Sequence, residues 1–385
     1  MKLDLVALSS TADARPLLVL GPSIGTTART LWGRCAVLLS ARFEIVGWDL
    51  PGHGDQAPAR EPFTVADLAD AVVDAVAAHR PGPFHYAGDS IGGAVGLTLL
   101  TRHPRSVLTA TLACTGAVIG TPDGWRDRAA AVRGEGMAPQ VPLSAGRWFA
   151  PGFREREPER ANALLQSLAG TDQESFALTC EALRGYDVRA DLGRIRTPVT
   201  LIGGTHDVAT PLDGLRAIER AVTGSRLVEL DVAHQAPAES PAAVAALIAT
   251  TADAAGASDD RHTAGMAVRR EVLGDRWVDR AVAATTDLTR DFQDFITRYA
   301  WGTVWTRPGL ARRDRSIVTL TALVAGGHLE ELAGHVRGAL SNGLTRGEIG
   351  EVLLQTAVYC GVPAANSAFR VAQRVFDEID RETVT

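Results

Sequence analysis

Cysteine is scarce in this sequence, and its spacing excludes two classes of protein. Only four cysteines occur in 385 residues, Cys35, Cys114, Cys180 and Cys360, and no two of them form a C-x-x-C pair. Disulfide-stapled domains and structural zinc sites both need several closely spaced cysteines. We therefore expect four small core residues, with neither a disulfide framework nor a metal site.

Long apolar runs and a dominant charge of one sign are missing as well. No window approaches the length of a membrane span, and residues 1–8 lack a basic region followed by a long apolar stretch. The net charge of −6 disfavours a nucleic-acid surface. With 46% hydrophobic and 22% charged residues, the composition is that of an ordinary globular protein. The sequence thus predicts a cytoplasmic protein that binds neither nucleic acid nor membrane.

The sequence contains two successive patterns, as expected for a chain of 385 residues with two domains. Short apolar runs alternate with helical patterns up to about residue 250, which indicates a mainly parallel sheet covered by helices. Helix-like segments interrupt this alternation at about 120–185, where a lid over the strand ends is expected. Small and acidic residues then predict a linker over 253–263.

Beyond the linker the strand pattern disappears. Apolar residues recur at helical spacing, and Thr345 with Glu348 forms a capping box. Seven helices are predicted near residues 264–273, 277–285, 288–301, 311–325, 329–340, 346–359 and 364–379. The predicted fold class is therefore α/β for residues 1–252, followed by an all-α domain over 264–385.

The pentapeptide G-D-S-I-G at residues 88–92 stands between an apolar run and a helical stretch. The order of strand, sharp turn and helix is that of a nucleophile elbow, which exposes its serine at the apex of a strained turn. The two glycines fit because a side chain at either place would collide with the neighbouring strand or helix. Ser90 is therefore predicted to be a nucleophile.

Two further residues follow Ser90 in the chain order that such a fold requires. Asp207 comes soon after the strand-like run 198–204, and His234 comes soon after a second run at 226–230. Active-site residues gather at the carboxyl ends of the strands in open α/β sheets. Alone, Asp207 could be a helix N-cap and His234 a surface histidine. Together with Ser90 they predict a nucleophile, an orienting acid and a general base.

An acyl-transfer site also needs backbone donors aimed at the developing oxyanion. The N–H of Ile91, which follows the nucleophile, is predicted to be one of them. The second is expected from the loop at 21–27, which follows a strand-like run. We assign it to the N–H of Ser23, with Ile24 as the neighbouring alternative.

Residues 1 to about 252 resemble the α/β-hydrolase superfamily and, within it, the 3-oxoadipate enol-lactonases. The similarity is carried by S-I-G-T-T at 23–27, W-D-L-P-G-H-G at 48–54, the elbow, and G-G-T-H-D at 203–207. It implies an α/β-hydrolase fold with a helical lid and a Ser-Asp-His triad. Two positions depart from the usual pattern, Gly-Pro at 21–22 in place of His-Gly and Asp89 before the nucleophile. Neither departure removes a catalytic group.

Residues from about 264 to 381 resemble the 4-carboxymuconolactone decarboxylases, which are small all-α proteins related to the AhpD-like fold. The densest similarity lies at 291–302, 305–310, 351–359 and 361–366, and at Glu331 with H-V-R at 335–337. It implies a homo-oligomer assembled through the helical domain. Peroxidase-linked AhpD-like relatives use a C-x-x-C pair, and because this chain lacks one, thiol redox chemistry is excluded.

The second resemblance implies loss of carbon dioxide from 4-carboxymuconolactone. The electrons left behind delocalise into the lactone, so no cofactor is expected, and the protein must stabilise a dienolate and protonate its α-carbon. Glu331 and His335 lie at i and i+4 on one predicted helix. We hypothesise that His335 donates the proton with Glu331 as its partner; the alternative is a plain helix-surface contact. Candidates to bind the carboxylates of the substrate are Arg315, Arg337 and Tyr359.

The product of that step is an enol-lactone, which suits the predicted triad. Ser90 would attack its carbonyl with His234 as base, and water would release 3-oxoadipate. This lactone still bears a carboxylate, so an arginine is expected in the lid. The candidate lid residues, with solvated arginines and core tryptophans as the alternative, are Trp125, Arg128, Arg133 and Trp148.

The leading hypothesis is therefore a bifunctional enzyme of the β-ketoadipate (protocatechuate) pathway that acts on small lactones. A second hypothesis is a general carboxylesterase or lactonase whose helical domain mediates oligomerisation. A third is a catalytically inert scaffold with an α/β-hydrolase fold, and the complete triad speaks against it.

Overall fold

The computed structural model describes residues 1–9 and 15–383, without the side chains of 255–260 and 383. Its contacts divide the chain into two compact units, Met1–Ala255 and Gly256–Thr385. The expected linker at 253–263 has helical backbone, because it falls within one continuous helix, Pro241–Leu273. Alanine, a strong helix former, recurs along the whole of this helix, which favours helix over an irregular connection.

The first unit is built on a seven-stranded sheet. The strands of the described residues are β1 (Leu5–Ala7), β2 (Leu17–Gly21), β3 (Glu44–Trp48), β4 (Phe84–Asp89), β5 (Val107–Ala113), β6 (Val199–Gly204) and β7 (Arg226–Leu230). Their order is β1-β3-β2-β4-β5-β6-β7. Only β1 runs antiparallel to its neighbour. Strands β2, β3, β4 and β6 are buried along their whole length, as expected for parallel strands covered on both faces.

Helices connect these strands. The helices that begin in this unit are α1 (Ala28–Leu39), α2 (Val65–His79), α3 (Ile91–Arg102), α4 (Pro122–Glu135), α5 (Gln140–Trp148), α6 (Phe153–Arg156), α7 (Pro158–Ala169), α8 (Gln173–Arg184), α9 (Leu212–Ala221), α10 (Ala236–Glu239) and α11 (Pro241–Leu273), with a 3₁₀ turn at Leu192–Arg194. Helices α4 to α8 fill the connection between β5 and β6, where the sequence predicted a helical lid. Helix α4 is tied to α8 by Gln173, whose Nε2 donates to the carbonyl of Val132 at 2.8 Å.

The second unit is helical, as predicted. After α11 come α12 (Asp275–Ala283), α13 (Arg290–Ile296), a π-helix (Thr297–Trp305), α14 (Arg312–Gly326), α15 (Leu329–Ser341), α16 (Arg346–Cys360) and α17 (Val362–Thr383). The predicted capping box is present, since Glu348 N–H donates to Thr345 Oγ1 at 3.1 Å and Thr345 N–H donates to Glu348 Oε2 at 2.8 Å. Helices α14 to α17 share a core that includes Leu320, Leu332 and Leu353.

Two composition-based expectations can be compared with the structure. Cys35, Cys114 and Cys180 are buried and unpaired, as expected for core residues, whereas Cys360 is partly exposed at the end of α16. Over residues 1–9 and 15–383, none of the helices has the length and apolar character required to cross a bilayer.

Candidate active site

Ser90 lies at a strained turn between β4 and α3. Its φ of 56° and ψ of −115° are rare for a residue with a side chain. Added Cβ atoms would lie 2.3 Å from the carbonyl oxygen of Gly92 at position 88, and 2.6 Å from the carbonyl of Gly21 at position 92. Only glycine fits at either place. The turn is held from β5, where Ala113 O accepts from Ser90 N–H at 2.9 Å.

The three residues predicted from chain order form one hydrogen-bonded series. His234 Nε2 lies 2.9 Å from Ser90 Oγ, and His234 Nδ1 lies 2.9 Å from Asp207 Oδ2. Asp207 follows β6 and His234 follows β7, so both come from the carboxyl edge of the sheet. With the Nδ1 proton donated to Asp207, Nε2 is free to accept the hydroxyl proton of Ser90.

Asp207 is held as an anion by its neighbours. Its carboxylate accepts from the N–H of Ala209 at 2.8 Å and of Thr210 at 3.0 Å, and from Thr210 Oγ1 at 2.5 Å. Burial raises the pKa of Asp207, but the charge of His234 and these hydrogen bonds outweigh it and leave the pKa below its ordinary value. Sequence reasoning did not identify Thr210, although it lies in the same short segment as Asp207.

The structure separates the two alternatives for the second oxyanion donor. The N–H of Ser23 already donates to Thr26 Oγ1 at 3.1 Å, so it is not available to a ligand. The N–H groups of Ile24 and Ile91 have no acceptor among the described residues. Ile24 also lines the cavity that contains Ser90. The assignment to Ser23 is therefore corrected, and the N–H groups of Ile24 and Ile91 remain the candidate oxyanion donors.

The loop that carries Ile24 is held by a buried histidine that sequence reasoning did not single out. His53 Nδ1 donates to Pro51 O at 3.0 Å, which leaves Nε2 to accept from the N–H of Gly25 at 3.0 Å. Burial lowers the pKa of His53 to about 4, so the ring is neutral at physiological pH. The signal for this residue was the W-D-L-P-G-H-G run, whose histidine anchors the oxyanion loop.

Asp89, directly before the nucleophile, has no counterion among the described residues. The side chain is completely buried, and neither carboxylate oxygen has a hydrogen-bond partner within the described residues. Burial raises the pKa of Asp89 well above its usual range, and repulsion from Asp207 and Glu239 adds to the effect. Burial therefore favours the protonated form of this carboxyl.

A cavity of about 710 Å³ opens at Ser90 and His234. The lid helices α4 and α5 supply much of its wall. The wall residues from these two helices that bear on recognition are Trp125, Arg128, Gln140, Ser144, Arg147 and Trp148. Three of the four predicted lid candidates thus line the cavity, and Arg147 joins them unpredicted.

Arg128 is the cation best placed for an anionic ligand. Its guanidinium lies between the rings of Trp125 and Phe176, 5.7 and 5.1 Å from their centroids. Nε donates to Gln140 Oε1 at 3.0 Å and Nη2 contacts Ser144 Oγ at 3.5 Å, and no carboxylate pairs with it in the described chain. Burial lowers the pKa of Arg128. A half-buried guanidinium without a protein counterion is suited to bind a carboxylate.

The fourth lid candidate, Arg133, faces away from the cavity. It forms ion pairs with Glu174 and Glu181 of α8, at 2.6 and 2.5 Å. Its guanidinium is therefore occupied in holding α4 to α8. We correct this expectation: Arg133 stabilises the lid and is not available to a substrate.

In the helical unit, Glu331 and His335 lie one turn apart on α15. No hydrogen bond joins the two side chains. The imidazole of His335 instead stacks on Trp301 of the π-helix, with ring centroids 6.3 Å apart and planes at 3°. Burial lowers the pKa of His335, and the charge of Glu331 opposes that effect. Sequence reasoning did not identify Trp301, although it lies in a stretch that carries the family resemblance.

The three predicted carboxylate ligands of this unit are not gathered around His335. Arg337 pairs with Glu378 and Glu382 of α17. Arg315 Nη2 donates to the carbonyl of Arg307 at 2.9 Å, and Tyr359 is 79% exposed. No hydrogen bond or ring contact joins any of the three to Glu331 or His335 in the part of the chain that is described. They remain predictions without geometric support here.

The described side chains offer one cluster of three possible metal ligands, Cys114, Asp207 and His234. Asp207 and His234 are bonded to each other within the triad, which explains their proximity without a metal ion.

Comparison with known proteins divides the chain at the same place as its two units. Residues 18–247 match the family model described as Alpha/beta hydrolase family. Residues 290–374 match the model described as Carboxymuconolactone decarboxylase family.

Individual relatives follow the same division. The C-terminal part is 44% identical over 121 residues to a 4-carboxymuconolactone decarboxylase of Acinetobacter baylyi, covering 31% of this chain and 90% of the relative. The N-terminal part is 34% identical over 231 residues to 3-oxoadipate enol-lactonase 2 of the same organism, covering 60% and 85%. The crystal structure of the enol-lactonase from Burkholderia xenovorans LB400 superposes with a TM-score of 0.62 at 31% identity, covering 65% of this chain and 95% of that one.

Proposed function

Because residues 18–247 of this chain belong to the alpha/beta hydrolase family and residues 290–374 to the carboxymuconolactone decarboxylase family, we propose that it is a bifunctional enzyme of the β-ketoadipate pathway. The helical unit decarboxylates 4-carboxymuconolactone to 3-oxoadipate enol-lactone. The α/β unit hydrolyses that lactone to 3-oxoadipate.

One observation carries the hydrolytic half of the proposal. The hydrogen-bonded series Ser90, His234 and Asp207 opens into a cavity that also holds Arg128, a cation without a protein counterion. The first three groups are those needed to cleave an ester through a covalent intermediate. The fourth suits an ester that carries a carboxylate.

In the first step Ser90 Oγ attacks the lactone carbonyl while His234 Nε2 takes the hydroxyl proton. The negative charge that develops on the carbonyl oxygen is stabilised by the N–H groups of Ile24 and Ile91. Each such donor contributes about 3 kcal/mol to transition-state stabilisation. Collapse of the tetrahedral intermediate breaks the ring C–O bond and leaves an acyl-enzyme whose enolate remains attached through the carbon chain.

In the second step water attacks the acyl-enzyme. The enolate released by ring opening takes the proton held by His234 and becomes the ketone, and the neutral His234 then removes a proton from the incoming water. Collapse of the second intermediate returns the proton to Ser90 and frees 3-oxoadipate. One water is consumed and no other reactant is needed, because the carbonyl formed from the enol makes ring opening favourable.

Arg128 orients the lactone through its carboxylate. Cation–π contacts with Trp125 and Phe176 restrict the guanidinium, and Gln140 occupies Nε. The remaining N–H groups are therefore directed by the protein before substrate arrives. Preorganised donors of this kind lose little entropy on binding. Arg147, which lines the same cavity, adds positive charge.

In the helical unit, His335 protonates the dienolate formed when carbon dioxide leaves. The electrons of the broken C–C bond pass into the lactone, so one proton must be delivered to the α-carbon. Stacking on Trp301 restricts the imidazole, and Glu331 lies one turn away. The charge of Glu331 partly offsets the effect of burial on the pKa of His335.

The helical unit also mediates self-association in this proposal. Large apolar side chains are exposed along α16, where Leu354, Val358 and Tyr359 are 57%, 75% and 79% accessible. A row of this kind is unusual for a helix that stays in water. A second copy of the chain would cover it. The four unpaired cysteines suit a reducing compartment, and we place both reactions in the cytoplasm.

The test is to supply 4-carboxymuconolactone to the wild-type chain and to Ser90→Ala, and to follow carbon dioxide and 3-oxoadipate separately. The wild type should release both. The variant should release carbon dioxide at the wild-type rate while enol-lactone accumulates.

Other outcomes would favour the alternatives. If neither protein releases carbon dioxide but the wild type cleaves simple esters, the chain is a general carboxylesterase or lactonase with a helical oligomerisation domain. If neither carbon dioxide release nor esterolysis occurs, the inert scaffold is favoured. If Glu331→Gln and His335→Ala both release carbon dioxide at the wild-type rate, neither residue takes part in the decarboxylation.

A further inference from the structure

A second arginine without a counterion is buried in the helical unit. Arg269 lies on α11 and is only 6% exposed. Its guanidinium contacts neutral groups alone: Nη1 and Nη2 both donate to Gln293 Oε1 at 3.2 Å, and Nη1 donates to Thr297 Oγ1 at 3.3 Å. Nε has no acceptor within the described residues.

The unused donors of Arg269 form one edge. A guanidinium has five N–H groups. The bonds to Gln293 and Thr297 occupy three of them, which leaves the N–H of Nε and the outer N–H of Nη2. These two point the same way, and this edge is the one that binds a carboxylate side-on through two parallel hydrogen bonds.

The acidic side chains nearby do not satisfy this edge. Asp294, next to Gln293 in sequence, pairs with Arg298 at 2.7 Å. Glu271, two residues from Arg269, pairs with Arg312. A buried charge without a counterion is costly, and burial accordingly lowers the pKa of Arg269. An anion that binds from outside the protein would supply the missing counterion and offset this cost.

Arg269 and His335 are connected through one face of the π-helix. Thr297 accepts a hydrogen bond from Arg269, and Trp301 stacks on His335. The two residues are four apart in a segment with i→i+5 hydrogen bonds, so their side chains lie on nearly the same face. Trp301 also packs with Val268 of α11, the residue before Arg269. The cation and the proposed proton donor therefore adjoin the same short segment.

We propose that the Nε–Nη2 edge of Arg269 binds one carboxylate of a dicarboxylate lactone at the site of His335. This assignment rests on the proposed decarboxylation for the identity of the substrate. The binding of a carboxylate at this edge can be tested without it. The three residues predicted to bind substrate carboxylates in this unit are bonded elsewhere or exposed. In this proposal Arg269 binds the carboxylate instead.

The first test is Gln293→Glu in the full chain. The new carboxylate would lie at the Nη1–Nη2 side of the guanidinium, where Gln293 Oε1 lies, and would neutralise its charge without covering the Nε–Nη2 edge. The variant should therefore be at least as resistant to thermal unfolding as the wild type. It should also raise the KM for 4-carboxymuconolactone about 10- to 100-fold, the loss expected for a charge-assisted contact, with little change in kcat. Arg269→Lys, which keeps the charge but lacks the two-donor edge, should raise KM in the same way.

The matched control is Gln373→Glu, an equivalent change at an exposed position on α17. It should leave KM unchanged. An unchanged KM in Gln293→Glu and in Arg269→Lys would overturn the proposal, because a purely structural arginine would tolerate a new counterion without effect on substrate.

A binding measurement separates this proposal from the proposed function. Glutarate, a simple dicarboxylate, is titrated by calorimetry into the full chain carrying Arg128→Gln, so that the cavity of the α/β unit does not compete. Binding that disappears when Gln293→Glu is added supports the Arg269 site even if no preparation releases carbon dioxide. No glutarate binding, or binding unaffected by Gln293→Glu, would overturn it.

Discussion

Asp89 offers the sharpest test of the electrostatics beneath the nucleophile. Its carboxyl is completely buried without a hydrogen-bond partner among the described residues, and burial raises its pKa well above the ordinary 3.8. We expect Asp89→Asn to keep the volume of this carboxyl, whose protonated form burial favours, while removing its ability to ionise. The variant should therefore fold and hydrolyse lactone at neutral pH, because the Asp89 carboxyl touches no reacting atom.

The sign of the stability effect follows from proton linkage. Between the pKa of the unfolded chain and the raised pKa of the folded one, the folded state holds a proton that the unfolded state has released. The free energy of unfolding of the wild type then falls as pH rises, by up to about 1.4 kcal/mol per pH unit. The contribution is fully present below the unfolded pKa and is lost as pH rises through the folded pKa. Inside that window the variant therefore gains stability relative to the wild type as pH rises.

The assay is urea unfolding of both proteins at pH 5, 6, 7 and 8, followed by tryptophan fluorescence. Groups that titrate equally in both proteins cancel in the difference between the two curves. Asp213→Asn is the control, since Asp213 belongs to the same unit and its side chain is 91% exposed. Its stability should run nearly parallel to that of the wild type.

Two results would refute the reasoning about Asp89. If the stabilities of Asp89→Asn and the wild type change in parallel with pH, Asp89 does not bind a proton more tightly in the folded state. If the wild type gains stability over the variant as pH rises, the carboxyl is ionised and stabilised in the fold, and a counterion must lie beside it.

Two further predictions concern binding and proton transfer. Arg128→Gln should raise the KM for the enol-lactone about 10- to 100-fold with kcat little changed, since a charge-assisted contact to the carboxylate is lost. Arg133→Gln, which breaks only ion pairs within the lid, should leave this KM unchanged. Equal KM values for the two variants in steady-state assays would contradict the assignment. If protonated His335 is the acid, kcat/KM for decarboxylation should fall as pH rises through its pKa, which burial lowers from 6.5, so the midpoint should lie below pH 6.5. A midpoint above that value, or the same profile in His335→Gln, would contradict the role.

Much of the fold and the triad could be predicted because their signals are local. The elbow is one strand, five residues and one helix, and its glycines respond to contacts within that turn and with the adjacent strand. Asp207 and His234 each follow an apolar run, and parallel strands bring such ends together whatever the distance along the chain. Helical spacing alone located the helices beyond residue 264. The covering helices of the sheet and the capping box at Thr345 follow from the same short-range rules.

Other features were not predictable because they depend on contacts between distant segments. Arg128 and Arg133 are five residues apart on α4, about 140° around the helix axis, so only one can face the cavity. Neighbouring Glu174 and Glu181 on α8 decide which one. The close packing of the π-helix on α11 was not predictable either. A Cβ at Gly302 would lie 2.1 Å from the carbonyl of Arg261 on α11, and local periodicity does not reveal such a contact.

The sequence by itself determined the order of the triad, the elbow, and the change from an α/β to a helical architecture, because each depends on residues near one another in the chain or on strand order. Tertiary structure alone decided which polar groups are free. The N–H of Ser23 is bonded to Thr26, and the charge of Arg133 is paired with glutamates of α8. Arg269 keeps two donors free because Gln293 and Thr297 bind only the other three. A polar group can bind a ligand only if no other group of the protein has already bonded to it. Its partners within the protein are fixed only when the chain has folded.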